Sequence, residues 1–221
     1  MLIRSYCLLC GNVANQIFCT SCLKEIKPLS IYKKRCLKCS KPLSEYEIDY
    51  CENCKNKSFY FSQNISLFSY HDYIIKNLVK IFKFDGIKKA GILLARIIEN
   101  EFFNTIKNIE YDLITFVPSS KDSLKERGFN PVEFILKKLK ITTINILKRE
   151  KHLKKQSELT LTEREKFIKG QFYLNKNSIV SGKKILIIDD IFTSGNTLNE
   201  ISRILIENKA ININTLTFFR D

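Results

Sequence analysis

Apolar positions along this chain fall into two periods. Tyr70, Ile74, Leu78, Ile81 and Phe82 recur at helical spacing, and Leu93, Leu94, Ile97 and Ile98 continue that pattern in a second helix after Gly86. Residues 131–140 also read as helical, and Leu198, Ile201, Leu205 and Ile206 suit one face of a helix from about Asn196 to Asn208. Between these lie short apolar runs. YDLITFV (111–117) predicts a strand that stops at Pro118, KKILIIDD (183–190) a buried strand bounded by Gly182 and a turn, and NINTLTFF (212–219) a closing strand. Strands alternating with helices predict an α/β domain with a parallel sheet. Residues 148–170 are charged, polar and aperiodic.

The N-terminal quarter obeys neither period. All eight cysteines lie between Cys7 and Cys54, which divides the chain into a small domain at residues 1–57 and a larger one at 58–221. Two similar halves carry the cysteines: Cys7/Cys10 with Cys19/Cys22, then Cys36/Cys39 with Cys51/Cys54. Two thiolates separated by two residues sit on one tight knuckle, and two knuckles complete a tetrahedral four-cysteine site. Disulfides would need an oxidising compartment, and a thioredoxin-like pair would need only one such motif. An iron–sulfur cluster shares the spacing. Zinc is the expected metal, in two closed and therefore structural sites that supply much of the small domain's folding free energy. Pairing within each half is the expected arrangement, with an interleaved cross-brace as the alternative. Lys33, Lys34 and Arg35 could bring this domain to nucleic acid, or the domain could dock on its neighbour.

Composition adjusts this picture only modestly. At 44% hydrophobic residues the 221-residue chain can form a core. Its net charge of +14 favours an anionic partner, although a sequence this rich in Lys, Ile and Asn can carry lysines without one. Met1 to Cys10 lacks the apolar stretch of a signal peptide, and runs such as Ile185 to Ile188 are far too short to span a membrane. A cytoplasmic protein without a membrane span is expected. Neither His71 nor His152 is assigned to catalysis.

The sharpest chemistry lies at the end of the central strand. Asp189 and Asp190 stand where α/β folds bind ligands, and Thr193, Ser194, Gly195, Asn196 and Thr197 lead from there into a helix. Successive backbone N–H groups, hydroxyls and a helix N-terminus suit one phosphate, while the two carboxylates suit sugar hydroxyls and a divalent metal. The pattern and lysine of a Walker A loop are absent. An ordinary strand-to-helix turn would need only one capping residue.

This segment resembles the phosphoribosyl diphosphate (PRPP) signature of type I phosphoribosyltransferases. The cysteine knuckles, Tyr70 with Lys83-Phe84-Asp85-Gly86, Asp112 to Pro118, Arg127-Gly128-Phe129-Asn130 and Arg149…Gln156…Arg164…Phe172 further resemble the ComF (ComFC) competence proteins. Their larger domain is similar to that of amidophosphoribosyltransferases. The resemblance implies a type I phosphoribosyltransferase domain after a zinc-ribbon domain. It implies that Asp189 and Asp190 hold the ribose hydroxyls directly or through Mg²⁺, and that Thr193 to Thr197 wrap the 5′-phosphate. Val117, Pro118, Ser119 and Ser120 become the pyrophosphate loop. Residues 148–170 become a flap whose Arg149, Lys154, Lys155 and Arg164 face the pyrophosphate, with Arg164 as the candidate catalytic residue. Two positions depart from the family pattern, Pro131 after Arg-Gly-Phe-Asn and Phe167 in the flap.

The function so implied is PRPP binding in natural transformation, with handling of incoming DNA. Single-stranded DNA and a DNA-uptake helicase or other competence protein are the expected partners. An active Mg²⁺-dependent transferase with a nitrogen acceptor is one alternative. A non-catalytic single-stranded DNA-binding module is the other.

Overall fold

The computed structural model describes residues 5–15, 17–149, 170–176 and 178–221. Four strands form a parallel sheet in the order β1-β6-β5-β2: β1 (Gln63–Ser69), β2 (Leu113–Phe116), β5 (Lys184–Phe192) and β6 (Asn212–Arg220). Two short strands, β3 (Leu147–Arg149) and β4 (Phe172–Leu174), pair antiparallel apart from it. Alternation along β5 feeds both faces: Leu186 and Ile188 enter one core cluster, Ile185 and Ile187 the other.

Three helices cover the first face: α3 (Tyr73–Lys83), α4 (Lys88–Ile106) and α6 (Pro131–Lys138). Helix α3 begins where the Asp72 carboxylate accepts from the Ile74 and Ile75 N–H groups at 2.9 and 3.1 Å. Its Ile74, Ile75, Leu78, Val79 and Phe82 are buried. Tyr70, expected on this helix, lies in the turn before it. Gly91 lets α4 approach α3, because a Cβ there would stand 2.7 Å from Cζ of the Phe82 ring. The second face carries α7 (Asn196–Glu207), whose Leu198, Ile201 and Leu205 are buried.

The cysteine-rich segment packs against the sheet. It holds two short helices, α1 (Thr20–Lys24) and α2 (Glu52–Lys55). Cys7, Ala14, Phe18, Cys22 and Ile26 join the core on the α3–α4 face, whereas Cys36, Cys39, Cys51 and Cys54 join the core on the α7 face. Between them the chain covers the free edge of β1. Asn64 N donates to Leu37 O at 2.8 Å, and Arg35 Nη1 donates to Ser66 O at 3.1 Å. The buried Ser40 hydroxyl donates to Asn64 O and accepts from Ser66 N, both at 2.8 Å, as a neighbouring strand would. Arg35 is thereby spent on the sheet, while Lys33 and Lys34 stay exposed.

A short helix between β2 and α6 was not expected from sequence: α5 (Lys121–Arg127), capped by the Ser120 hydroxyl on Ser123 N and closed by Gly128 at φ +76°. No helix among the described residues is long and apolar enough to cross a membrane.

Candidate functional site

The sheet's chemistry gathers at the C-terminal ends of β2 and β5. The chain leaves β5 toward α7 on one face and β2 toward α5 and α6 on the other, so a crevice opens where the two connections diverge. A cavity of about 430 Å³ occupies it. Val117, Pro118, Ser119 and Ser120 line it together with Asp189, Asp190, Thr193 and Thr197. Ser194, Gly195 and Asn196 belong to the same turn without lining the cavity. Arg164, Gln156, Lys154, Lys155, Phe167 and His152 lie outside the described residues.

Local bonding explains each placement. Val117 N donates to Ile188 O at 3.0 Å, so the loop after β2 begins from the ladder itself. The buried Asn130 ties that loop to α6: its Nδ2 donates to Val117 O at 2.9 Å, and its Oδ1 accepts from Val132 N at 2.9 Å and Glu133 N at 3.2 Å. Pro131 then occupies the first turn of α6, where its missing N–H costs nothing. Strand β5 runs two residues beyond Asp190, to Phe192, so both carboxylates sit on extended backbone. Gly195 caps α7 at φ +79°, and a Cβ there would meet the Phe192 ring at 2.6 Å. Only glycine fits that position.

The carboxylate pair is electrostatically strained. Burial pushes the Asp189 carboxyl up to about 7, and the adjacent Asp190 charge pushes the same way. Opposing them are the Asp190 N–H, which donates to Asp189 Oδ1 at 2.8 Å, and the charges of Lys83 and Arg149. Lys83 Nζ lies 2.7 Å from Asp190 Oδ2, each side chain being 20% exposed. Burial pulls that ammonium down, but Asp190, with Asp189 behind it, more than reverses the pull. Arg149 is lowered by burial, with Asp189 opposing. It lies over the Phe172 ring at 5.2 Å and donates from Nε and Nη2 to Gln171 Oε1. Arg127 also lines the cavity, and its Nε is buried with no hydrogen-bond partner among the described residues. Lys83, Arg127 and Asn130 are site residues that motif reading found only as pieces of a family pattern. Three cations line the cavity, beside three carboxylates (Asp189, Asp190 and Asp221) and two threonines, a set of groups chemically suited to an anion with sugar-like hydroxyls.

Away from this cavity the cysteines form two separate groups. Cys7, Cys10, Cys19 and Cys22 make one; Cys36, Cys39, Cys51 and Cys54 make the other, each with sulfurs within 4.8 Å of one another. The pairing is within each half and not interleaved. A tetrahedral zinc site with Zn–S of about 2.3 Å has sulfur–sulfur edges of about 3.8 Å. Cys7–Cys22 at 3.8 Å, Cys10–Cys19 at 3.6 Å and Cys39–Cys51 at 3.6 Å fit that tetrahedron. A thiol hydrogen bond from Cys39 holds Cys36 down at about 4 and drives Cys39 itself up, and burial carries Cys54 up to about 12. Four sulfurs so close share protons until a cation replaces them.

Comparison with known proteins agrees with both halves. Residues 84–221 match the model of the phosphoribosyl transferase domain, and residues 1–55 that of the double zinc ribbon domain. Competence protein ComFC of Streptococcus pneumoniae is 30% identical over 159 residues, covering 70% of this chain and 67% of its own. ComFC of Bacillus subtilis is 30% identical over 180 residues, covering 77% and 72%. Competence protein F of Haemophilus influenzae is 28% identical over 212 residues, 90% of each chain. A double zinc ribbon docked on a phosphoribosyltransferase-fold sheet, and relatives of this similarity and coverage, make the chain a member of the ComF family of competence proteins.

Proposed function

We propose that this protein binds PRPP with Mg²⁺ in the cavity between β2 and β5, and does so in natural transformation. One observation carries the reading. Adjacent carboxylates, a hydroxyl-bearing turn at a helix N-terminus and the cations Lys83, Arg127 and Arg149 converge on a single cavity. PRPP has matching parts: two ribose hydroxyls, a 5′-phosphate and a diphosphate. The cavity, at about 430 Å³, is of small-ligand size. Thr193 and Thr197 with the α7 N-terminus would take the 5′-phosphate. Ser119, Ser120 and the three cations would take the diphosphate. Asp189 and Asp190 would hold the ribose hydroxyls. They also offer the hard oxygen donors that suit Mg²⁺, which is commonly bound by one or two carboxylates plus substrate phosphates. When bound, Mg²⁺ neutralises diphosphate charge.

The relatives' names support a part in competence; the wider role, handling incoming single-stranded DNA in the cytoplasm alongside a DNA-uptake helicase or another competence protein, extends that through the family resemblance. Arg164, which lies outside the described residues, enters this proposal only through the family resemblance, as the candidate catalytic residue.

Titration calorimetry with PRPP and Mg²⁺ tests the site. Wild-type protein gives saturable heat, and Asp189→Asn/Asp190→Asn weakens binding by about 100-fold, or ~2.7 kcal/mol. Absence of heat from wild-type protein sinks the PRPP assignment. Equal binding by the double variant sinks the residue assignment. Gel shifts with single-stranded DNA across a salt series test the nucleic-acid role, where affinity indifferent to salt counts against phosphate contacts.

A further inference from the structure

A short strap, residues 58–62, connects the second cysteine tetrad to the turn that caps α7. Asn199, in the first turn of α7, accepts at Oδ1 from Tyr60 N at 2.7 Å, and its Nδ2 donates to Ser58 O at 3.4 Å. The N–H of the same residue donates to Gly195 O at 2.8 Å, closing the turn behind Thr193 and Ser194. Beneath that turn, a Cβ on Gly195 would stand 3.4 Å from the Phe59 ring. Phe59 packs in turn on the buried Phe61, with centroids 5.0 Å apart.

The other end of the strap is held by the metal knuckle. Lys38 lies between Cys36 and Cys39. Its Nζ donates to Phe61 O at 2.8 Å and Ser62 O at 2.6 Å, and stands 5.5 Å from the centre of the Phe61 ring. A second path runs through the sheet. Arg220 Nε donates to Cys39 O at 3.0 Å, and Arg220 is the β6 partner of Phe192, whose ring also supports Gly195. Cys7 and Cys22 of the first tetrad instead pack in the core on the opposite face of the sheet.

We infer that the second tetrad is a positioning element for the anion-binding turn: metal at Cys36, Cys39, Cys51 and Cys54 fixes Lys38, the strap and Asn199, and so holds Thr193–Thr197 in register. The reading of the turn as a phosphate site rests on the proposed function; the mechanical link does not. Lys38 can anchor the strap only while its knuckle keeps one shape. Sulfurs 3.6 Å apart need a cation, or shared protons, to keep it. Phosphate recognition by converging N–H groups is correspondingly sensitive, since displacement by about 1 Å can cost a hundredfold.

The test uses the full chain with both zinc sites loaded. Lys38→Met and Asn199→Leu each cut the strap without touching a cysteine. Asn199→Asp keeps the acceptor for Tyr60 N and serves as the conservative rescue. Three quantities are read: zinc per chain, hydrogen exchange of the peptide covering 191–199, and PRPP affinity with Mg²⁺. Lys38→Met and Asn199→Leu should retain both zincs, yet exchange about tenfold faster across 193–197. They should also bind PRPP about tenfold more weakly. Asn199→Asp should recover most of both losses, and Cys10→Ser, in the first tetrad, should leave the turn's exchange unchanged. Unchanged exchange at 193–197 in both strap variants overturns the inference, as does equal loosening by Cys10→Ser. If the turn loosens as expected while wild-type protein gives no PRPP heat, the positioning stands and only the ligand assignment fails.

Discussion

Replacing Lys83 by Met removes the one cation among the described residues that is ion-paired with Asp190, and the cost can be worked from that pair. At 2.7 Å the Lys83–Asp190 attraction is ~6 kcal/mol at an effective permittivity of 20. Desolvation of the ammonium returns most of it. Breaking a buried pair by truncating one member costs about 3–5 kcal/mol, and an exposed pair is worth about 0–1. With both side chains 20% exposed, this pair lies between the two, at about 2 kcal/mol. For a chain of this size that is a fall in Tm of roughly 4–8 °C.

The loss depends on pH, with a definite sign. Asp189 is raised to about 7 by burial and then by Asp190, so the folded protein keeps a proton that the unfolded chain releases near 4. That carboxyl therefore costs stability as pH climbs from about 4 through 7, and Lys83 limits the cost. Without Lys83, Asp189 must ionise with less to offset its burial and the neighbouring Asp190 charge. The deficit of Lys83→Met should be fully present at pH 8–9 and shrink below about pH 6, where Asp189 is protonated in both proteins. The assay is thermal unfolding from pH 5 to 9 in Mg²⁺-free buffer without chelator, which would strip zinc. Millimolar Mg²⁺ alone should restore part of the variant's loss. Equal Tm values at pH 8, or a larger deficit at pH 5 than at pH 8, would refute the electrostatic account.

Other consequences follow from the packing. Elemental analysis should find two zincs per chain. A chelator should remove them in two phases, the first from the tetrad whose Cys10 is exposed and the second from the tetrad whose four cysteines are all buried; release in one phase contradicts this. Gly91→Ala drives a methyl into the Phe82 ring and should cost about 1–3 kcal/mol, read as a lower urea midpoint at unchanged slope. Gly195→Ala must adopt φ near +79° against the Phe192 ring. It should weaken PRPP binding at least about tenfold in calorimetry while retaining both zincs.

What the sequence revealed tracked how each element earns its burial. Helices α3, α4 and α7 bury regular stripes, and β5 is nearly continuous in Ile and Leu, so period alone found them. Strand β1 escaped because two of its buried positions are polar. Asn64 and Ser66 bond to each other, to Thr215 and Thr217, and to Ser40, partners no local pattern displays. Helix α5 buries no residue and is held by its caps. The cysteine spacing was explicit because a metal demands it, and Asp189-Asp190 because strand, acids and glycine turn are contiguous. Lys83, Arg127 and Asn130 reach the same cavity from other elements, and only the fold brings them there.

The edge of β1 sets how far the zinc segment can be regarded as a separate module. In the four-stranded sheet β1 pairs only with β6, so its outer N–H and C=O groups need another partner. Leu37, Ser40 and Arg35 supply it, and the flanking cysteine groups cover apolar surface on both faces. A chain beginning at residue 58 would keep all four strands. It would also expose a strand edge and the buried side chain of Phe68, and would release the strap at 58–62 from Lys38. Unpaired edges of that kind template association with other chains. The truncated protein should elute as oligomers or aggregate in light scattering at concentrations where the full chain is monodisperse, and Lys or Pro substitutions along 64–66 should reduce that association. A monodisperse truncated chain with full-length thermal stability would show that the ribbons are an appended domain, and that the sheet is complete without them.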